Sequence, residues 1–125
     1  MIMNIKTPDT LEVKYINNDI GYGVFTNKEI QKGEIVEVCY YLEFNNVTGE
    51  IVDYLFKNTN TSTLLLPLGY GSIYNHSYTP NIRWEVLKPD IKIITFTALI
   101  DIKDGEELRF NYGEKYWIDK KKKII

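Results

Sequence analysis

The chain has one histidine, His76, in the segment Leu68-Gly69-Tyr70-Gly71-Ser72-Ile73-Tyr74-Asn75-His76-Ser77-Tyr78-Thr79-Pro80-Asn81. A lone imidazole can serve as general base, as partner of a nucleophile or as metal ligand. Each role needs companions. There is no second histidine and only one cysteine, Cys39, far away in sequence. A three-ligand metal site would therefore rest on carboxylates, and no His-x-x-x-His supports it. Neither a Gly-x-Ser-x-Gly elbow nor a Walker-type phosphate loop is present, and Gly21-Tyr22-Gly23 lacks the third glycine of a dinucleotide fingerprint. What stands out instead is tyrosine, ten residues in all. Tyr22, Tyr54, Tyr70, Tyr74, Tyr112 and Tyr116 lie beside glycines or in irregular stretches. Tyrosines fill β cores, or they line a channel for an amine with a hydroxyl at one end; residue type leaves both open.

The length of 125 residues fits one domain, and 44% hydrophobic residues with 26% charged ones supply a core and a soluble surface. A net charge of -2 gives no global case for nucleic acid or membrane binding. The basic residues are uneven, with Lys120, Lys121, Lys122 and Lys123 in a run that reads as a solvated tail or as a contact for phosphates. One cysteine, no signal-peptide pattern and no apolar run of membrane-spanning length point to an intracellular protein.

Positioning of these residues falls to short strands. Residues 1–10 read as an arm, 11–117 as the domain and 118–125 as a Lys-rich tail. Leu11, Val13 and Tyr15 alternate with charged residues, the pattern of a half-buried strand, and Asn17-Asn18-Asp19 ends it in a turn. Val24-Phe25-Thr26 continues from the glycine pair. The β-branched and aromatic density from Ile35 through Phe44 marks a longer strand. Residues 51–56 fit either a strand or a helical turn, 58–62 read as polar loop, and Thr63-Leu64-Leu65-Leu66 as buried. Residues 82–87 and 91–97 flank Lys88-Pro89-Asp90 as a hairpin, and Asp104-Gly105 turns the chain into residues 107–112. Lys32-Gly33-Glu34 after Ile30 is echoed by Asp104-Gly105-Glu106 after Ile102, two similar turns rather than a repeat. In 68–81 the glycines and Pro80 oppose regular structure, and Asn75, Ser77 and Asn81 offer local main-chain hydrogen bonds. The chain is mainly β.

Three motifs then stand in order: Gly21-Tyr22-Gly23; Asn75-His76-Ser77 with Pro80-Asn81; and Gly105-Glu106-Glu107-Leu108-Arg109-Phe110-Asn111-Tyr112-Gly113. Together, with the Lys32-Gly33-Glu34 turn between the first two, they resemble the SET-domain lysine methyltransferases. Through Asp53-Tyr54-Leu55-Phe56 and Tyr112-Gly113-Glu114-Lys115-Tyr116-Trp117, and in its small size, the chain looks most like the minimal viral enzymes that methylate histone H3.

The resemblance implies a SET (β-clip) fold of small sheets, with the Asn75-His76-Ser77 segment and the segment ending at Tyr112 forming a pseudoknot. It implies S-adenosylmethionine as methyl donor and a histone tail, H3 first, as substrate; a non-histone lysine or a non-catalytic binding module on the same fold are the alternatives. By the same resemblance Tyr112 is the catalytic residue, and Tyr22, Tyr54, Phe110 and Tyr116 line the lysine channel. Gly21, Tyr22, Gly23, Asn75, His76, Tyr112, Tyr116 and Trp117 hold the cofactor. Relatives carry a zinc-ligating cysteine where Tyr78 stands, and no cysteine follows it here, so no metal is expected. Ser72 replaces a common arginine. The Tyr116-Trp117 segment or a second subunit must close the pocket, the Lys-rich tail is placed to touch nucleosomal DNA, and a histone substrate implies a nuclear site.

Overall fold

The computed structural model describes residues 5–111; Tyr112, Tyr116, Trp117 and the tail lysines lie outside the described residues. The elements are β1 (Leu11–Asn17), β2 (Gly21–Thr26), β3 (Ile35–Phe44), a 3-10 helix (Glu50–Tyr54), β4 (Phe56–Asn58), β5 (Thr63–Pro67), β6 (Asn75–His76), β7 (Ile82–Lys88), β8 (Ile93–Ala98) and β9 (Glu107–Phe110). They form a four-stranded sheet in the order β1-β2-β9-β6 and a five-stranded sheet in the order β4-β5-β3-β8-β7.

Local chemistry accounts for most of the strand ends. The side-chain oxygen of Asn17 accepts the N–H groups of Asp19 and Ile20 at 3.0 and 2.9 Å, an Asx turn that stops β1. The 82–97 hairpin forms with its turn displaced toward Lys92, which adopts φ 58°. Residues 51–56 divide: the helical turn ends at Tyr54, and Phe56 opens β4. Asn58 belongs to β4 and not to a loop, so β4 and β5 make a hairpin that the polar stretch conceals. Leu65 and Pro67 are the buried residues of β5, with Leu64 and Leu66 half-buried. Tyr15, expected on the buried side of β1, is exposed.

The two similar turns are partners. Ile30 and Ile102 exchange main-chain hydrogen bonds of 2.8 and 2.7 Å, and both are buried. In each turn the glutamate carboxylate accepts a main-chain N–H three residues earlier, Gln31 at 3.1 Å for Glu34 and Lys103 at 3.2 Å for Glu106. Gly33 and Gly105 both adopt φ 89°, a conformation that side chains disfavour. The first turn bonds to Ala98 of one sheet and the second to Thr26 of the other. Two local signals thus clasp the sheets together.

Aromatic packing joins them at the centre. Phe56 stacks on Phe110 with centroids 4.8 Å apart, and meets Trp84 and Phe96 edge-on at 5.2 and 6.0 Å. Tyr74 tilts against Phe96 at 4.7 Å. Rings of this size each withdraw about 150–250 Å² from water, so one cluster ties β4, β7 and β8 to β9 and to the loop before β6.

β9 lies between β2 and β6. It runs parallel to β6, with Asn75 opposite Arg109 and His76 opposite Phe110. The hairpin β7–β8 intervenes in sequence, so this pairing needs a long return, and it is the described part of the expected pseudoknot. Asn81 secures it: its side chain donates to the Glu107 carbonyl at 2.8 Å and accepts the Arg109 N–H at 2.8 Å. Its main chain bonds to Arg109 and Leu99. Asn81 therefore acts as a missing strand and not as the local turn former read from sequence. Truncating it leaves a part-buried donor and acceptor without partners, so Asn81→Ala is expected to cost about 1–3 kcal/mol. Urea unfolding that leaves the midpoint unchanged would contradict this role.

Candidate functional site

The adjacency β2-β9-β6 brings together three of the sequence motifs. Val24 pairs with Leu108 and Phe25 with Glu107 on one side of β9, while Asn75 and His76 pair on the other. Alternation then sorts the side chains. Tyr22, Val24, Leu108, Phe110 and His76 share one face; Gly23, Glu107, Arg109 and Asn75 share the opposite face.

The second face is a polar clamp. The Asn75 side-chain amide donates to the Tyr22 carbonyl at 3.0 Å and to the Glu107 carboxylate at 2.7 Å. Arg109 returns to Glu107 through Nε at 2.8 Å and a terminal nitrogen at 2.7 Å. The Glu107 side chain is only 8% exposed, so these donors take the place of water around its carboxylate. Gly23 lies directly beneath. A Cβ there would stand 2.5 Å from the Glu107 carboxylate and 3.0 Å from the Asn75 amide nitrogen. The glycine is required by this close approach. Asn75 thus reaches across two strands, where the sequence reading gave it a local hydrogen bond.

On the first face, Phe110 is fully buried in the aromatic cluster. His76 is buried too, with its ring edge-on to Tyr78 at 5.1 Å. Burial pushes its imidazole pKa below the usual value, so the ring is neutral at physiological pH. Tyr22 differs: 58% of it is exposed, and its ring meets that of Tyr15 edge-on at 5.4 Å. Gly21 opens β2 at φ 82°.

Tyr54 is not on these strands. It closes the 3-10 helix and is 55% exposed, so it is not one of the tyrosines that fill the β core. Among the described residues, Tyr41 and Tyr74, each 1% exposed, are the tyrosines that fill the core. Tyr112, Tyr116 and Trp117 lie outside the described residues. Among the described residues no cluster of three or more histidine, cysteine or acidic side chains is placed to hold a metal, and no helix is long and apolar enough to cross a membrane.

Sequence reasoning missed Glu107 and Arg109 as a unit. Their spacing was the available signal, since residues two apart on a strand share a face. It also missed Glu37, which is 2% exposed. Glu37 has the parity of Cys39 and Tyr41 in β3, and so belongs to the inward row.

Comparison with known proteins gives one account. The family model for the SET domain matches residues 21–113. The chain is similar to histone-lysine N-methyltransferase EZH2 of Chaetomium thermophilum, 33% identical over 115 residues, spanning 77% of this chain and 8% of that protein. It is also similar to the H3 lysine-37 specific histone-lysine N-methyltransferase of Schizosaccharomyces pombe, 39% identical over 105 residues, spanning 79% of this chain and 71% of that one. Among solved structures it superposes on a Plasmodium falciparum protein described as a candidate histone methyltransferase. The TM-score is 0.72 at 32% identity, covering 88% of this chain and 98% of the other. Clamp, inserted strand and matched length agree: the chain belongs to the SET-domain family.

Proposed function

We propose that this chain is an S-adenosylmethionine-dependent protein-lysine N-methyltransferase that modifies a histone tail, H3 first. The observation that carries the reading is the convergence of Gly21-Tyr22-Gly23, Asn75 and His76 on one inserted strand, two residues before Tyr112. Similarity to two histone methyltransferases, each matched over more than three quarters of this chain, supports the substrate class. The Tyr112–Trp117 motif favours the minimal viral-type enzymes as the nearest functional group. A histone substrate places the protein in the nucleus.

The residues fit the cofactor on two grounds. β6 stands at the edge of its sheet, where the main chain of Asn75 and His76 can meet a base. Tyr22 presents an exposed ring beside Gly21, at the end of the strand that Asn75 bonds. S-adenosylmethionine supplies the electrophilic methyl group. Gly21, Tyr22 and Gly23 hold its amino-acid end, Asn75 and His76 its base, and Tyr116 and Trp117, or a second copy of the chain, close the pocket. His76 contributes main chain and position, with its ring buried beside Tyr78.

The target lysine must lose its proton, since a free amine has a pKa near ~10.4 and only the neutral form is nucleophilic. A channel of Tyr22, Tyr54, Phe110 and Tyr116 would desolvate the ammonium and so favour release of that proton to solvent. The neutral amine would then take the methyl group as S-adenosylhomocysteine leaves. Tyr112 orients the neutral amine toward the methyl group. A phenol of ordinary pKa ~10 is a weak base at neutral pH, so its part is alignment. Phe110 has no hydroxyl with which to retain a water, which leaves room for more than one methyl. Lys120 to Lys123 add an attraction for nucleosomal DNA.

Two outcomes test this. Tyr112→Phe is expected to lower methyl transfer to histone H3 about 100-fold or more while leaving cofactor affinity within about threefold; radiolabelled transfer and calorimetry read the two, and undiminished transfer would overturn the assignment. Gly23→Ala places a methyl group in the Asn75–Glu107 contact and is expected to weaken cofactor binding about tenfold. Unchanged affinity would remove the clamp from the cofactor wall.

A further inference from the structure

The segment that delivers Asn75 and His76 is held from below by a group outside the motifs. Glu37 lies in β3, in the other sheet, and is buried at 2% exposure. Its register with β8 shifts between Ile35 and Glu37, a bulge that fixes where the inward row begins. One carboxylate oxygen accepts the Tyr74 hydroxyl at 2.6 Å and the other accepts the Tyr70 N–H at 2.9 Å. The Cys39 thiol donates to the same group. Tyr70 and Tyr74 bracket the loop that ends at β6, and Tyr74 immediately precedes Asn75. The fit is close at a third point, since a Cβ on Gly69 would stand 2.6 Å from the carboxylate.

Burying a carboxylate is costly, and burial raises the Glu37 pKa while its hydrogen bonds oppose that shift. The same burial, with the Glu37 charge, raises the Tyr74 and Cys39 pKa values, so both remain proton donors. An apolar residue of similar volume would serve packing alone. A carboxylate that accepts the Tyr74 hydroxyl on one oxygen and the Tyr70 N–H on the other does something that packing does not: it fixes the loop at two points four residues apart, and so sets where β6 begins.

We propose that Glu37 is a positioning residue for cofactor binding, acting through Tyr70 and Tyr74 to hold Asn75 and His76 at the height the pocket requires. The inference rests on the cofactor reading above. It gives Glu37 no contact with the substrate, the cofactor or the reacting atoms. Once the cofactor is bound the chemistry proceeds as before, so the effect falls on cofactor affinity and not on the saturated rate.

The test uses the full chain and three variants: Glu37→Gln, Tyr74→Phe and the double. Glutamine keeps an acceptor for the Tyr74 hydroxyl but turns an N–H toward the Tyr70 N–H. Tyr74→Phe removes the hydroxyl and keeps the ring in the aromatic cluster, and so guards against loss of fold. Well below the melting temperature of each variant, both single variants are expected to raise the Kd and KM for S-adenosylmethionine about tenfold, with kcat at saturating cofactor within about twofold. The double variant should lose less than the product of the two. Cofactor affinity within twofold of the native chain in both single variants would overturn the proposal. So would fully multiplicative losses, or a fall in kcat with unchanged affinity. Failure of the native chain to bind S-adenosylmethionine would instead overturn the cofactor reading itself, which keeps the two failures apart.

Discussion

A C-terminal strand inserted between two earlier ones is the constraint on which the site depends. β9 has β2 on one side and β6 on the other, and the contacts that keep it there are mostly side chain to main chain. Asn81 bonds β9 at Glu107 and Arg109, while Asn75 bonds the Tyr22 carbonyl and the Glu107 carboxylate. A two-residue strand such as β6 has little pairing of its own. It is held by its pairing with β9, by the Asn75 clamp and by the Glu37 bonds to Tyr70 and Tyr74 just before it. Glu107, shielded from water, is compensated by Asn75 and Arg109 together; removing either donor leaves a poorly solvated charge.

The described tyrosines divide by burial. Tyr41 and Tyr74 are core residues, and the Tyr74 hydroxyl is satisfied by a buried carboxylate. Tyr22 and Tyr54 keep more than half their surface exposed, although they are large and partly apolar. Tyr22 shares a strand face with Phe110 and His76, so the face that forms the core at Val24 and Leu108 runs on to an exposed ring. On the function proposed above, that continuity sets an aromatic ring beside the segments assigned to the cofactor.

The strands were legible where they carry their own signals. The β3 limits match the β-branched and aromatic run, Asn17 stops β1 as its side chain dictates, and the two Gly-Glu turns are alike because they do the same work. The β4–β5 hairpin was hidden because Asn58 and its neighbours are polar, yet Asn58 is buried. Nor could the reach of Asn75 and Asn81 be read from sequence, since the same amides form local turns when no strand lies within range. Glu37 shows the limit most plainly. Its parity with Cys39 and Tyr41 was an available signal, but its tyrosine partners stand 33 and 37 residues away, and only the folded chain pairs them. The family motifs supplied what periodicity does not: the return of β9 to β6 through an intervening hairpin.

Amide hydrogen exchange with and without S-adenosylmethionine tests the location of the site most directly. The account predicts slowed exchange at residues 21–24 and 75–77, in two segments far apart in sequence that share β9, with little change in the β4–β5 and β7–β8 hairpins. Protection confined to the five-stranded sheet, or none at either segment at saturating cofactor, would contradict it.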